Sequence, residues 1–139
     1  MANRYLKKPT YSFEQDTVRI NGRFVVGSTG AVTAGSVKGG GVSGVVRNGT
    51  GDYTVTLSDK YAKLLSFKGF VASASGNSGI AAIEAYNATP ANFQSDFSTN
   101  GTLSFKTLDF AGSAADPTSG GYLYFELIVR NSSVAPFGF

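Results

Sequence analysis

The sequence predicts an all-β protein: a single-domain sandwich or jelly-roll-like barrel of about seven to eight antiparallel strands, preceded by an extended N-terminal arm. Three observations carry this. Eighteen glycines, close to twice the usual share of about 7%, fall in clusters that separate short β-branched and aromatic runs. No window of about 12 residues sustains the apolar 3.6 period of an amphipathic helix. At 139 residues the chain suits one domain that buries roughly two thirds of its unfolded surface, enough to fold without a disulfide or metal staple.

Residues 1–13 read as the arm. Pro9 and polar neighbours disfavour helix, while Tyr5, Leu6, Tyr11 and Phe13 supply apolar anchors. The domain takes residues 14–139 and its first strand residues 17–26. Asn21-Gly22 invites a two-residue hairpin, but that pairing would put Phe24 and Val26 on the face opposite Val18 and Ile20. One continuous strand keeps all four on one face, with Gly22 as a bend or bulge. Residues 27–41 form a Gly/Ser/Thr/Ala loop around a short strand at 31–33.

A strand at 42–47, the turn Asn48-Gly49-Thr50-Gly51 and a strand at 52–57 make the clearest hairpin. Tyr53, Val55 and Leu57 point inward, Thr54 and Thr56 outward. Ser58 or Asp59 then caps one helical turn over 59–65. A strand at 66–73, the turn Gly76-Asn77-Ser78-Gly79 and a strand at 80–86 follow. Residues 87–100, with Pro90, read as a connection. A strand at 102–110 sets Leu103, Phe105 and Thr107 on one face. Residues 111–121 loop around Asp116-Pro117, and 122–130 is the last and most apolar strand. The tail carries Pro136, Phe137 and Phe139. Phe24, Tyr53, Phe67, Phe105 and Phe125 alternate with polar residues and belong to the core.

Charged residues are 15% of the chain, against a globular norm of about 25%. The net charge is +3, and Arg4, Lys7 and Lys8 hold all of it. Residues 14–139 balance nine basic against nine acidic groups. So neutral a body lacks the basic face expected of a nucleic-acid binder, and no nucleic-acid partner is expected. No apolar h-region follows the polar start and no run of about 20 apolar residues occurs, so neither a signal peptide nor a membrane span is expected. The four N-x-S/T sequons then read as products of loop composition.

The chain has no cysteine, histidine or tryptophan. That removes cysteine nucleophiles, thiolate and imidazole metal sites, haem ligation and every Ser-His-Asp or Cys-His arrangement. Gly39-Gly40-Gly41 lacks the Lys-Ser/Thr pair and following helix of a phosphate loop. No calcium-type run of alternating oxygen ligands occurs. Asp52, Asp59, Glu84, Asp96, Asp109, Asp116 and Glu126 fall in turns or at outward strand positions, and turn chemistry accounts for Asp52, Asp59 and Asp116. No catalytic residue and no cofactor is expected.

One stretch of the chain is familiar as a pattern. Gly41-Val42-Ser43, then the run from Val45-Val46-Arg47 through Asn48-Gly49-Thr50-Gly51-Asp52-Tyr53-Thr54-Val55-Thr56-Leu57 to Ser58-Asp59, then Tyr61 and Leu64-Leu65, resembles a block of small virion proteins of tailed bacteriophages. A second block resembles the same group: Ala115-Asp116-Pro117-Thr118-Ser119-Gly120 and Leu127-Ile128-Val129-Arg130-Asn131-Ser132-Ser133-Val134. Phe24-Val25-Val26-Gly27 and Gly30-Ala31-Val32 also fit. Together these cover under half of the chain.

The resemblance implies a non-enzymatic decoration or cement protein on the capsid surface of a virion, made in the host bacterial cytoplasm. It implies a homotrimer, with the major capsid protein as partner. The arm has no counterpart in the resemblance. Its role follows from charge and aromatics: Arg4, Lys7 and Lys8 meet acidic capsid patches while Tyr5, Leu6, Tyr11 and Phe13 bury apolar surface. Two other classes stay open. A carbohydrate-binding or adhesion module of a head or tail fibre requires a solvent-facing aromatic platform. A small glycan-active or lytic enzyme requires two carboxylates converging in a cleft.

Overall fold

The computed structural model describes residues 17–87, 89 and 92–131. The expected arm, with Arg4, Tyr5, Leu6, Lys7, Lys8, Tyr11 and Phe13, lies outside the described residues, as do Phe137 and Phe139 of the tail.

The first strand, β1 (Thr17–Val25), is continuous, as the shared apolar face requires. It pairs residue for residue with the last strand, β7 (Tyr122–Arg130), with no register shift. Gly22 is therefore not a bulge. It faces Phe125 across the ladder, and a Cβ on Gly22 would overlap the Phe125 ring. The glycine answers a packing need rather than a bend.

Strand β7 also pairs with β4 (Lys63–Ala72), giving a three-stranded antiparallel sheet in the order β1-β7-β4. The second sheet has four antiparallel strands. Its order is β2 (Val42–Gly49), β3 (Asp52–Leu57), β6 (Thr102–Leu108) and β5 (Ala82–Tyr86). No strand is common to both sheets, so the described residues form a seven-stranded sandwich rather than a closed barrel.

Alternation builds the core. From β7 come Leu123, Phe125, Leu127 and Val129, from β1 Ile20 and Phe24, from β3 Tyr53, Val55 and Leu57, and from β6 Leu103 and Phe105. The rings form one contiguous stack: Phe24 to Tyr53 at 5.3 Å, Tyr53 to Phe105 at 5.4 Å, and Phe105 to Phe67 at 5.5 Å between centroids. Each fully buried side chain of this size stabilises the fold by about 1.5–3 kcal/mol through area removed from water. Buried Thr107 satisfies its hydroxyl by donating to the Ala115 carbonyl at 2.6 Å.

Three elements differ from the sequence reading. No helical turn forms over 59–65; Lys63 and Leu64 already pair with Arg130 and Val129 in β4. Burial of Leu64 against the core outweighs the capping signal at Ser58-Asp59. The expected connection at 87–100 contains a helix, α1 (Phe93–Asn100). Phe97 on α1 is buried, and Gly101 ends the helix in the left-handed region (φ 66°), donating to the Phe97 carbonyl. From α1 the Gln94 side chain holds the start of β4, accepting from Leu64 N–H at 2.9 Å and donating to Leu64 O at 2.8 Å. The short strand expected at 31–33 reduces to a single bridge between Val26 and Val32.

Candidate docking surface

The sandwich has a loop end and a base. At the loop end, β1, β7 and β4 meet at Val25, Tyr122 and Ala72. Here the connections are tied to one another. Arg47 Nε donates to Asp116 Oδ1 at 3.1 Å and Arg47 Nη2 to Oδ2 at 2.7 Å. Gly51 N–H donates to the same Oδ1 at 2.8 Å. Asp116 is thus a clamp between the β2–β3 turn and the β6–β7 loop, where turn chemistry alone was expected. Gly51 and Gly30 both have positive φ, 60° and 73°, and a Cβ on Gly30 would overlap the Asp116 carboxylate. Tyr53 Oη donates to Gly30 O at 2.7 Å, and Thr118 N–H to Ser78 O at 3.1 Å.

These contacts shift the titrating groups. Burial raises the Asp116 carboxyl, but the hydrogen bonds from Arg47 and Gly51, with the Arg47 charge, outweigh it and hold it below 3.8. Burial, followed by the negative charge of Asp116, pushes the Tyr53 phenol up to about 12. The phenol therefore stays a neutral donor.

Next to the clamp, Phe110 is 80% exposed at the tip of the β6–β7 loop. The tip is preorganised: Asp109 Oδ1 accepts from Ala111 N–H and Ser113 N–H, both at 2.9 Å.

The outer face of β1-β7-β4 was not legible from the neutral body. Five cations lie on these three strands, Arg19, Arg23, Lys63, Lys68 and Arg130, against one acid, Glu126. Four of them, Arg19, Arg23, Lys63 and Lys68, are at least partly exposed, so this face carries an excess of cations that the neutral net charge of the body does not show. The period-2 spacing of Arg19, Asn21 and Arg23 was the available signal; which strands would flank them was not. Glu126 stands between Lys68 (Nζ–Oε1 3.2 Å) and Arg19 (Nε–Oε2 3.9 Å). Aromatic rings share the face. Phe70, 61% exposed, stacks on Tyr124 at 4.9 Å and 11°, and the Arg23 guanidinium lies 5.2 Å from the Tyr122 ring centre.

The base is the opposite end, where Thr17, Arg130 and Lys63 align across the sheet. β1 begins and β7 ends in this row. Arg130 is only 5% exposed, and its Nε and Nη2 have no hydrogen-bond partner among the described residues.

The outer face of the second sheet is polar and closer to neutral. Tyr86 Oη donates to Asp52 Oδ2 at 2.7 Å, Lys106 Nζ lies 4.4 Å from the Tyr86 ring centre, and Asn48 Nδ2 donates to Thr54 Oγ1 at 2.8 Å. Asp52, Asp96, Asp109 and Asp116 are each engaged in a structural hydrogen bond. Among the described residues no group of three or more carboxylates is placed to hold a metal ion. No helix among them is long and apolar enough to cross a membrane.

Comparison with known proteins gives no matching family model, no matching curated sequence and no matching solved structure.

Proposed function

We propose that this protein is a virion structural protein of the decoration or cement type, which binds the capsid surface through its base and stabilises the shell. The single observation that carries the reading is Arg130. A buried guanidinium with two unpaired N–H groups is costly in an isolated domain. A carboxylate on a partner relieves that cost on binding. Lys63 stands beside it in the same row, and β1 begins there at Thr17. In this reading the cations of the arm and those of the base both meet acidic patches on the major capsid protein.

The arm and the base form one clamp in this reading, and the sandwich is the rigid body that it fixes. A clamp that binds the assembled lattice and not its separated subunits stabilises the assembly by mass action. The copies act as a homotrimer, grouped so that each arm reaches a neighbouring subunit.

Replacement of Arg130 by methionine tests the reading. Arg130→Met removes the uncompensated charge at similar volume, so the isolated domain becomes as stable or more stable, by about 1 kcal/mol or more. The same change weakens co-sedimentation with capsids stripped of this protein by at least about tenfold, the loss expected when one buried charge loses its partner. A variant that binds such capsids as tightly as the parent contradicts the role of the base.

A further inference from the structure

We infer that the outer face of β1-β7-β4 carries a binding notch for a single pyranose ring of a glycan. The notch is independent of the capsid reading: it lies nearer the loop end and involves no residue of the base row.

Two adjacent rows of side chains build it. In register across β1, β7 and β4, one row is Asn21, Glu126 and Lys68, and the next is Arg23, Tyr124 and Phe70. The row between them is Gly22, Phe125 and Gly69, whose one side chain is buried in the core. A cavity of about 260 Å³ lies among these residues. The two rows are about 7 Å apart along the strands, so the cavity is of single-ring scale.

The chemistry of the walls selects the ring. One wall is aromatic, the stacked Phe70–Tyr124 pair, with Phe70 largely open to solvent. An apolar sugar face packs on such a surface. The other wall is an amide, a carboxylate and an ammonium, which together accept from and donate to vicinal hydroxyls. The Glu126 side chain is 20% exposed and is flanked by two ion pairs, with Lys68 Nζ 3.2 Å from Oε1 and Arg19 Nε 3.9 Å from Oε2. The exposed part of that carboxylate keeps lone pairs that accept from a hydroxyl.

That same carboxylate argues against the other ligand that a basic, aromatic sheet face suggests. Single-stranded nucleic acid stacks its bases on exposed rings and runs its phosphates through a cationic groove. Here the centre of the groove is a carboxylate, and a phosphate offers it no proton.

The test is a titration of the uniformly ¹⁵N-labelled full chain, followed by amide shifts. The probes are methyl glucopyranoside, methyl galactopyranoside, N-acetylglucosamine and methyl glucuronide, with oligo-deoxythymidine as the rival. The expected result is saturable shifts confined to the amides around Asn21, Gly69 and Tyr124 with at least one pyranoside, at a dissociation constant of roughly 1 mM, the scale for a ligand of this size. Phe70→Ala, a change at an exposed position, should weaken that binding at least tenfold, and Glu126→Gln should weaken it severalfold, with both variants keeping the parent spectrum elsewhere. No saturable shift at the notch with any pyranoside overturns the inference. So does tighter binding of the oligonucleotide to the same amides. Neither result bears on the capsid reading, because no capsid is present.

Discussion

Gly22 and Asp116 show how single residues set the fold. Because the Phe125 ring fills the place of a Gly22 Cβ, Gly22→Ala forces an overpacked core and should cost about 1–3 kcal/mol. Phe125→Leu in the same chain should recover part of that loss, so a double-mutant cycle in urea that gives strictly additive costs would disprove the contact. Asp116 has its carboxyl held below the ordinary value in the folded state. Its contribution is complete above that ordinary value and is lost as pH falls through the lower folded one. Asp116→Asn should therefore lower stability at neutral pH and flatten the acid limb below pH 3.8. A parent and variant whose unfolding curves stay parallel down to acid pH would show that the clamp does not titrate. At this scale the sequence was only partly readable. Asn21-Gly22 and Asp116-Pro117 look like turn chemistry, and both do a different job because of a partner about 70 or 100 residues away in the chain.

The β2–β3 hairpin is the element whose sequence pattern and structure agree most closely. Tyr53, Val55 and Leu57 are buried, and Thr54 and Thr56 are not. Leu57→Ala should cost about 2–5 kcal/mol. Thr56→Ala should stay within about 0.5 kcal/mol. Thr54→Ala should fall between them at about 1 kcal/mol, since its hydroxyl joins Asn48 and Ser104. Equal losses at Leu57 and Thr56 in urea unfolding would reject the face assignment. The alternation was legible because a strand half-buried on one side writes its pattern with period 2. The helix α1 was not. Its eight residues are mostly polar, and its apolar signal is one pair, Phe93 and Phe97, one turn apart. The beginning of β4 was missed for a different reason: Leu64-Leu65 reads equally as helix or strand, and only pairing with Val129 and the grip of Gln94 decide it.

For the whole molecule, net charge hid the arrangement that matters. A body with equal numbers of acids and bases reads as featureless, yet pairing β1 and β4 on either side of β7 gathers five cations onto one sheet. Strand order is a long-range property, and no local pattern specifies it. Among the described residues the core runs from β1 to β7, and deletion of residues 2–13 should leave the unfolding midpoint within a few degrees, a shift that corresponds to about 1 kcal/mol or less. The same deletion should sharply weaken binding to stripped capsids. Changing only Arg4, Lys7 and Lys8 to serine should weaken it less, and mainly at low salt, where screening is poor. A truncated chain that binds as tightly as the full one would remove the arm from the mechanism. In the proposed function the domain sits on a shell with its base turned inward. A particle reconstruction at a resolution that shows strands tests it most directly. One sandwich per site is expected on the outer shell, in groups of three, with Lys63 and Arg130 against the major capsid protein and the Phe110 tip pointing away. Particles whose shell lacks this protein, or copies seated by the Phe110 end with Arg130 facing solvent, would contradict it.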